Sequence, residues 1–191
     1  MSLRILKTAA AIENSDEFNE ARLLLLLKVA AGRGKTPRPL EGIMKLAKMD
    51  FLLRYPNVLA RALAELKKPG ETAEAATSGI PEEDRDTIEA RMIRFRFGPW
   101  DPRYRRWLSI LVAKQLAIVY REGRTVKIQL TEAGKTLAGR LEADNGFTAL
   151  VERAKTVNGA VGHMPSTKLT SFVYKIVPEI ISMKWGNPIE L

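Results

Sequence analysis

His163 is the only histidine in a chain of 191 residues that has no cysteine. A lone imidazole cannot build a His-based metal site, and without thiols there is neither a thiolate site nor a cysteine nucleophile. Glu82, Glu83, Asp84 and Asp86 gather acids within five positions. They lack the central glycine and the terminal glutamate of a calcium loop, so they read as a solvated acidic helix start. Gly34-Lys35-Thr36 ends like a Walker-type phosphate loop, but Val29 stands where the first glycine belongs, and a helix precedes it instead of a strand. Ser166-Thr167-Lys168 has no neighbouring base and no Gly-x-Ser-x-Gly context. These residues support no catalytic, metal or cofactor site, and the expectation is a binding protein that is not an enzyme.

Charge is where the chain carries information. Between Arg91 and Arg140 there are 12 Lys+Arg against three acids, which equals the net charge of +9 of the whole chain. Such a surface attracts polyanions, nucleic acid first. Arg103, Arg105 and Arg106 crowd the start of an expected helix, where the dipole disfavours each cation by roughly 0.3–1 kcal/mol. A bound phosphate would compensate, aided by the free N–H groups there. Pairing with Asp101, or with acids such as Glu82 or Asp86, is the alternative. Arg94 and Arg96 share one strand face, while Arg121, Arg124 and Lys127 mark a hairpin tip and its flank. Contacts of this kind position a protein on a phosphate backbone without reading sequence. The expected partner is therefore duplex DNA, bound non-specifically. No cofactor is implied.

The elements that must position these cations can be read from caps and periodicity. Ser15 or Asp16 caps a helix to about Ala31, and Gly32 ends it. A second helix follows from Ile43, Pro56 breaks it at Tyr55, and a third runs from Val58 to Leu66. Residues 67–84, rich in Glu, Ala and Thr and bracketed by Pro and Gly, read as a mobile loop. Met92 to Phe97 alternate at period two, which predicts a strand with Ile93, Phe95 and Phe97 inward. Gly98-Pro99-Trp100 then turns the chain, and Asp101-Pro102 starts a helix with Tyr104, Trp107, Leu108, Leu111 and Gln115 on one side. Val119 and Tyr120 lead through Gly123 into Val126, Ile128 and Leu130, forming a hairpin, and Thr131 caps the next helix. Two further helices follow Phe147, the second starting near Ser166 and ending by Pro178.

The order strand–helix–hairpin–helix predicts an α+β fold, mostly α: a winged helix-turn-helix with a small antiparallel sheet and extra N- and C-terminal helices. Residues 1–145 would form the winged-helix domain and 146–191 a C-terminal helical extension packed on it. Ile93, Phe95, Trp107, Leu111, Ile128 and Leu130 would share one core. Leu3–Ile12 is too short and broken for a secretory leader, and the apolar run Leu23–Leu27 falls far below the roughly 20 residues of a membrane span. A cytoplasmic location without membrane contact is expected, and the absence of cysteine suits a reducing compartment.

The segment from Leu116 to Gly134, ending Leu130-Thr131-Glu132-Ala133-Gly134, is similar to the wing of MarR- or PadR-type winged helices. Three further strings narrow the likeness: Lys45-Leu46-Ala47-Lys48-Met49-Asp50-Phe51-Leu52-Leu53-Arg54-Tyr55-Pro56, Arg94-Phe95-Arg96-Phe97-Gly98-Pro99-Trp100-Asp101, and Ser171-Phe172-Val173-Tyr174-Lys175-Ile176-Val177-Pro178-Glu179. Together they resemble the middle component of bacterial ABC-three-component systems over about residues 21–179. The resemblance implies an accessory, non-catalytic subunit beside an SMC/Rad50-like ATPase and a third subunit, in a defence or DNA-processing complex. It carries no catalytic motif. A free winged-helix regulator, a purely protein-docking module and a homodimer all stay open on sequence.

Overall fold

The computed structural model describes residues 15–32, 38–67, 69–78, 80 and 91–191. The fold is α+β, mostly helical, with a small antiparallel sheet. The chain divides into two compact units, each made of two separate segments. One comprises residues up to Leu40 together with Pro102–Val151, and the other Glu41–Asp101 together with Glu152–Leu191. These units follow a different line from the expected boundary at residue 145. The C-terminal helices group with 41–101, because that is where their apolar faces find partners.

In the first unit, helix α1 (Asp16–Ala31) begins at Ser15, whose Oγ accepts a hydrogen bond from the Phe18 N–H at 3.1 Å. Asp16 and Glu17 occupy its first turn, where the dipole favours acids. The strand β1 (Leu40–Glu41) sits at the division of the chain, with Leu40 in this unit. After Pro102 come α5 (Tyr104–Ala113), β4 (Ala117–Glu122), β5 (Thr125–Leu130) and α6 (Glu132–Ala143). The sheet order is β1-β5-β4, so β4 is an edge. Helix α1 packs against α5, α6 and β5, which is why Leu23 to Leu27 are all buried despite pointing in different directions. Trp107, Leu111, Ile128 and Leu130 join this core as expected.

Strands β4 and β5 pair from Ala117↔Leu130 to Glu122↔Thr125, leaving Gly123-Arg124 as a two-residue loop. Gly123 has φ +58 and Arg124 is not among the positive-φ residues, the pattern of a type II′ turn. At the far end, Thr131 Oγ1 donates to the Gln115 carbonyl at 2.7 Å and accepts from the Gly134 N–H at 3.0 Å, capping α6. A Cβ on Gly134 would stand 1.9 Å from the Leu116 carbonyl oxygen. Glycine is therefore required here by the close approach of the chain that leads into β4. Gln115, expected on the helix face, instead leaves the helix with φ 56 and is exposed.

In the second unit, α2 (Ile43–Arg54) and α3 (Pro56–Leu66) are separated at Tyr55, as Pro56 dictates. A short helix, α4 (Ala73–Thr77), lies inside the stretch expected to be a loop, while 81–90 falls outside the described residues. Strands β2 (Ile93–Phe95) and β3 (Gly98–Trp100) form a hairpin turning at Arg96-Phe97. Gly98–Trp100 is thus a strand, and the turn lies two residues earlier than the composition suggested. The helices α7 (Thr148–Val161), within which the division of the chain falls, α8 (Ser166–Ile176) and α9 (Glu179–Ser182) complete the chain. Helix α2 packs on β3, α3 and α8.

The face of β2 is opposite to the one expected. Met92 and Arg94 are buried, whereas Phe95 and Phe97 are 41% and 49% exposed. The C-terminal tail explains it by pairing beside β2: Ile189 N–H donates to the Met92 carbonyl at 2.8 Å, Arg94 N–H to that of Asn187 at 2.8 Å, and Gly186 N–H to that of Arg94 at 2.7 Å. The Arg94 guanidinium donates through Nε to the Ile180 carbonyl at 2.8 Å and lies 5.5 Å from the Tyr174 ring centroid. Ile93 and Phe95 consequently belong to a different unit from Trp107.

Asp101 is not the N-cap residue of α5, which is Arg103. Asp101 is buried and accepts from Arg54 at 2.9 Å, and Arg54 also meets Asp50 at 2.9 Å. Buried cations are retained where fork-shaped donors reach two carboxylates in this way. Beside this cluster the buried Tyr55 hydroxyl accepts from the Met92 N–H at 2.8 Å and donates to the Ile189 carbonyl at 3.1 Å. Burial pushes that phenol above its ordinary range.

Candidate nucleic-acid interface

Of the eight cations singled out by sequence, six lie in the first unit, on α5 and the β4–β5 hairpin, and two in the second, on or beside β2. Their environments differ sharply. Arg103 is the N-cap residue of α5, and its guanidinium lies 4.8 Å from the Trp107 ring centroid. Arg106 pairs with Asp16 at 2.5 Å, and the other oxygen of that carboxylate accepts from Trp107 Nε1 at 2.8 Å. Asp16 on α1 is thus the acid that answers Arg106, whereas the acids near 82–86 lie outside the described residues. Arg105, between them, is exposed and forms no ion pair with a described residue. The N-cap residue Arg103 makes no side-chain capping bond to α5, and no acid stands in the first turn of that helix.

On the hairpin, Arg121 and Arg124 are exposed and form no ion pair with a described residue; Arg121 reaches only the Gly123 carbonyl at 3.5 Å. Lys127 behaves otherwise. It sits on β5, the central strand, where neighbours on both sides cover its stem, and its ammonium meets Glu122 at 3.1 Å. It is a nearly buried, neutralised cation, not an outward wing residue. Arg94 is likewise removed from the surface by its bonds to Ile180 and Tyr174. Arg96 is exposed, 5.3 Å from the Phe97 ring centroid, in the second unit.

The structure thus gathers Arg105, Arg121 and Arg124 as uncommitted cations in one unit. Many other cations of that unit are neutralised, as in Lys28–Glu142 and Lys114–Glu20, both at 2.6 Å. Arg140, on α6, is also exposed with no described ion-pair partner. Sequence reasoning counted it within the basic stretch without selecting it, and nothing local distinguishes it from Lys135, which pairs with Glu132. The apolar neighbours of the hairpin were missed as well: Ile118, Val119 and Tyr120 on the edge strand are exposed.

The second unit holds an open cleft of about 460 Å³ lined by Leu63, Lys67, Glu71, Thr156 and His163 among others. Among the described residues no group of three His, Asp or Glu side chains could hold a metal ion. No described helix is long and apolar enough to cross a membrane. Gly34-Lys35-Thr36 lies outside the described residues. No family model matches the chain, and neither a curated protein nor a solved structure matches it.

Proposed function

We propose that the first unit is a winged-helix module that binds the phosphate backbone of duplex DNA without sequence preference, in a non-catalytic accessory subunit. Its strand order β1-β5-β4, with α5 leading directly into the β4–β5 hairpin, is the order a winged helix has, with α5 in the recognition-helix position and the hairpin as wing. The departure is that Glu41–Asp101 of the second unit stands between β1 and α5, where a winged helix has only its other helix. The observation that carries the reading is the set Arg105, Arg121 and Arg124, exposed and without carboxylate partners among the described residues, in a unit that neutralises many of its other cations. Phosphate contacts from such side chains fix position and not sequence. The resemblance to the middle component of ABC-three-component systems suits this role, with an SMC/Rad50-like ATPase as the partner that supplies chemistry. The test is salt-dependent binding of an arbitrary duplex by the purified chain.

A second reading is favoured by the edge strand. Exposed Ile118, Val119 and Tyr120 on β4, an edge strand among the described residues, suit strand addition by a protein partner. It predicts negligible affinity for duplex DNA, and capture of the partner that is lost when β4 is altered.

A further inference from the structure

The second unit carries a feature that the basic interface does not use. Phe95 stands between two tryptophans, its ring centroid 6.0 Å from that of Trp100 at 29° and 6.3 Å from that of Trp185 at 44°. Trp185 and Phe95 face solvent, Trp185 being 64% exposed, while Trp100 is half-buried. Phe97, half exposed on the neighbouring turn, carries the Arg96 guanidinium over its face. Phe95 and Trp100 end the hairpin strands β2 and β3, Phe97 and Trp185 sit on the turns Arg96-Phe97 and Trp185-Gly186, and none of these rings lines the cleft. A chain that leaves this much aromatic surface uncovered exposes a recognition surface.

The charges around the rings select what is recognised. Every acid of segments 91–101 and 178–191 is neutralised: Asp101 by Arg54, Glu179 by Arg61 at 2.8 Å and Glu190 by Arg91 at 2.6 Å. Arg96 and Lys184, each next in sequence to a ring of the ladder, are exposed and form no ion pair with a described residue. Flat, stackable faces flanked, among the described residues, by the uncompensated cations Arg96 and Lys184 complement a polymer of planar bases on an anionic backbone. Duplex DNA hides its base faces, whereas a single strand presents them, and stacking tolerates any sequence. We propose that the Trp100–Phe95–Trp185 ladder, with Arg96 and Lys184, is a stacking platform for single-stranded nucleic acid. It is independent of the duplex reading of the first unit, since no residue is shared.

Titrating the full chain with fluorescently labelled dT15 at low salt, while following anisotropy and tryptophan emission, tests this. The expected result is saturable binding with quenching of the solvent-exposed, red-shifted part of the emission, since Trp107 is buried. Trp185→Ala should weaken dT15 binding about tenfold or more, Trp185→Phe should restore it to within about threefold, and the double variant Arg105→Ala/Arg124→Ala should leave it within about twofold. Trp185 is exposed, so an unchanged circular dichroism spectrum is expected of its variants. Failure of the wild type to bind dT15, or equal binding by Trp185→Ala, overturns the proposal. So does concentration-dependent dimerisation abolished by Trp185→Ala without dT15 binding, which assigns the rings to a second copy of this chain. An emission blue shift with anionic vesicles but not with dT15 would overturn it in favour of a lipid surface.

Discussion

Lys48 is fully buried on α2, where its ammonium donates to the Met44 carbonyl at 3.2 Å and forms no ion pair with a described residue. Burial lowers its pKa from 10.5 to about 8. Below pH 8 the folded and unfolded chains both hold this proton, and the whole cost of burying the charge is borne. Between pH 8 and about 10.5 the unfolded chain keeps the proton that the folded chain has shed, so stability rises with pH, by up to about 3 kcal/mol. Lys48→Met should therefore be more stable than wild type at pH 7 and should lack this rise, as urea midpoints at pH 7 and pH 10 would show. Trp107 makes the opposite case. It is buried, edge-on to Tyr104 at 5.6 Å and bonded to Asp16, so Trp107→Ala should cost about 3–5 kcal/mol. An unchanged melting temperature would contradict its placement.

At the scale of elements, the junction of β4 with α6 depends on one missing side chain. Gly134→Ala must push the Leu116 carbonyl away, and a loss of about 1–3 kcal/mol is expected in thermal unfolding. The β2–β3 hairpin offers a sharper test. Met92→Ala should cost about 2–5 kcal/mol and Phe97→Ser less than about 1 kcal/mol, the reverse of what the alternation Met-Ile-Arg-Phe-Arg-Phe suggests. That hairpin marks the limit of what could be read from sequence. Helices α1, α2, α3 and α6 and the β4–β5 hairpin were legible, because Ser15, Pro56, Gly123 and Thr131 act on their immediate neighbours. The buried face of β2 was not: alternation puts the apolar Ile93, Phe95 and Phe97 on one face and Met92, Arg94 and Arg96 on the other, yet the second is buried at Met92 and Arg94, because Ile180, Asn187 and Ile189, more than 85 residues away, hold it. Asp101 misled for the same reason: Asp-Pro is a local helix-start signal, but its partner Arg54 lies 47 positions earlier. The site was legible in part. Charge density located the arginines, while the partners Asp16 and Glu122 that neutralise Arg106 and Lys127 could not be inferred from spacing.

For the whole molecule, the two units are each assembled from distant segments, and neither is a contiguous piece of sequence. Removing residues 152–191 should thus act on the unit that contains α2 and α3. Tyr55 would lose the Ile189 carbonyl, Arg94 the Ile180 carbonyl, and Leu53 the Arg153 donor at 3.2 Å. Hydrogen exchange on such a truncated chain should show lost protection across 43–66 with protection kept in α1 and the β4–β5 hairpin. Equal protection in both would support a contiguous domain ending near residue 145.

The net charge of +9 is likewise a property of the whole chain, but it becomes an interface only where arginines are left uncommitted. The decisive measurement is the affinity of the wild type and of Arg105→Ala/Arg124→Ala for an arbitrary DNA duplex over a salt series. With about three phosphate contacts, the logarithm of affinity should fall against log salt with a slope near −2.7, and the double change should flatten it by roughly 1.8 for unrelated sequences alike. Negligible duplex binding by the wild type at low salt, or a slope untouched by the double change, would contradict the account.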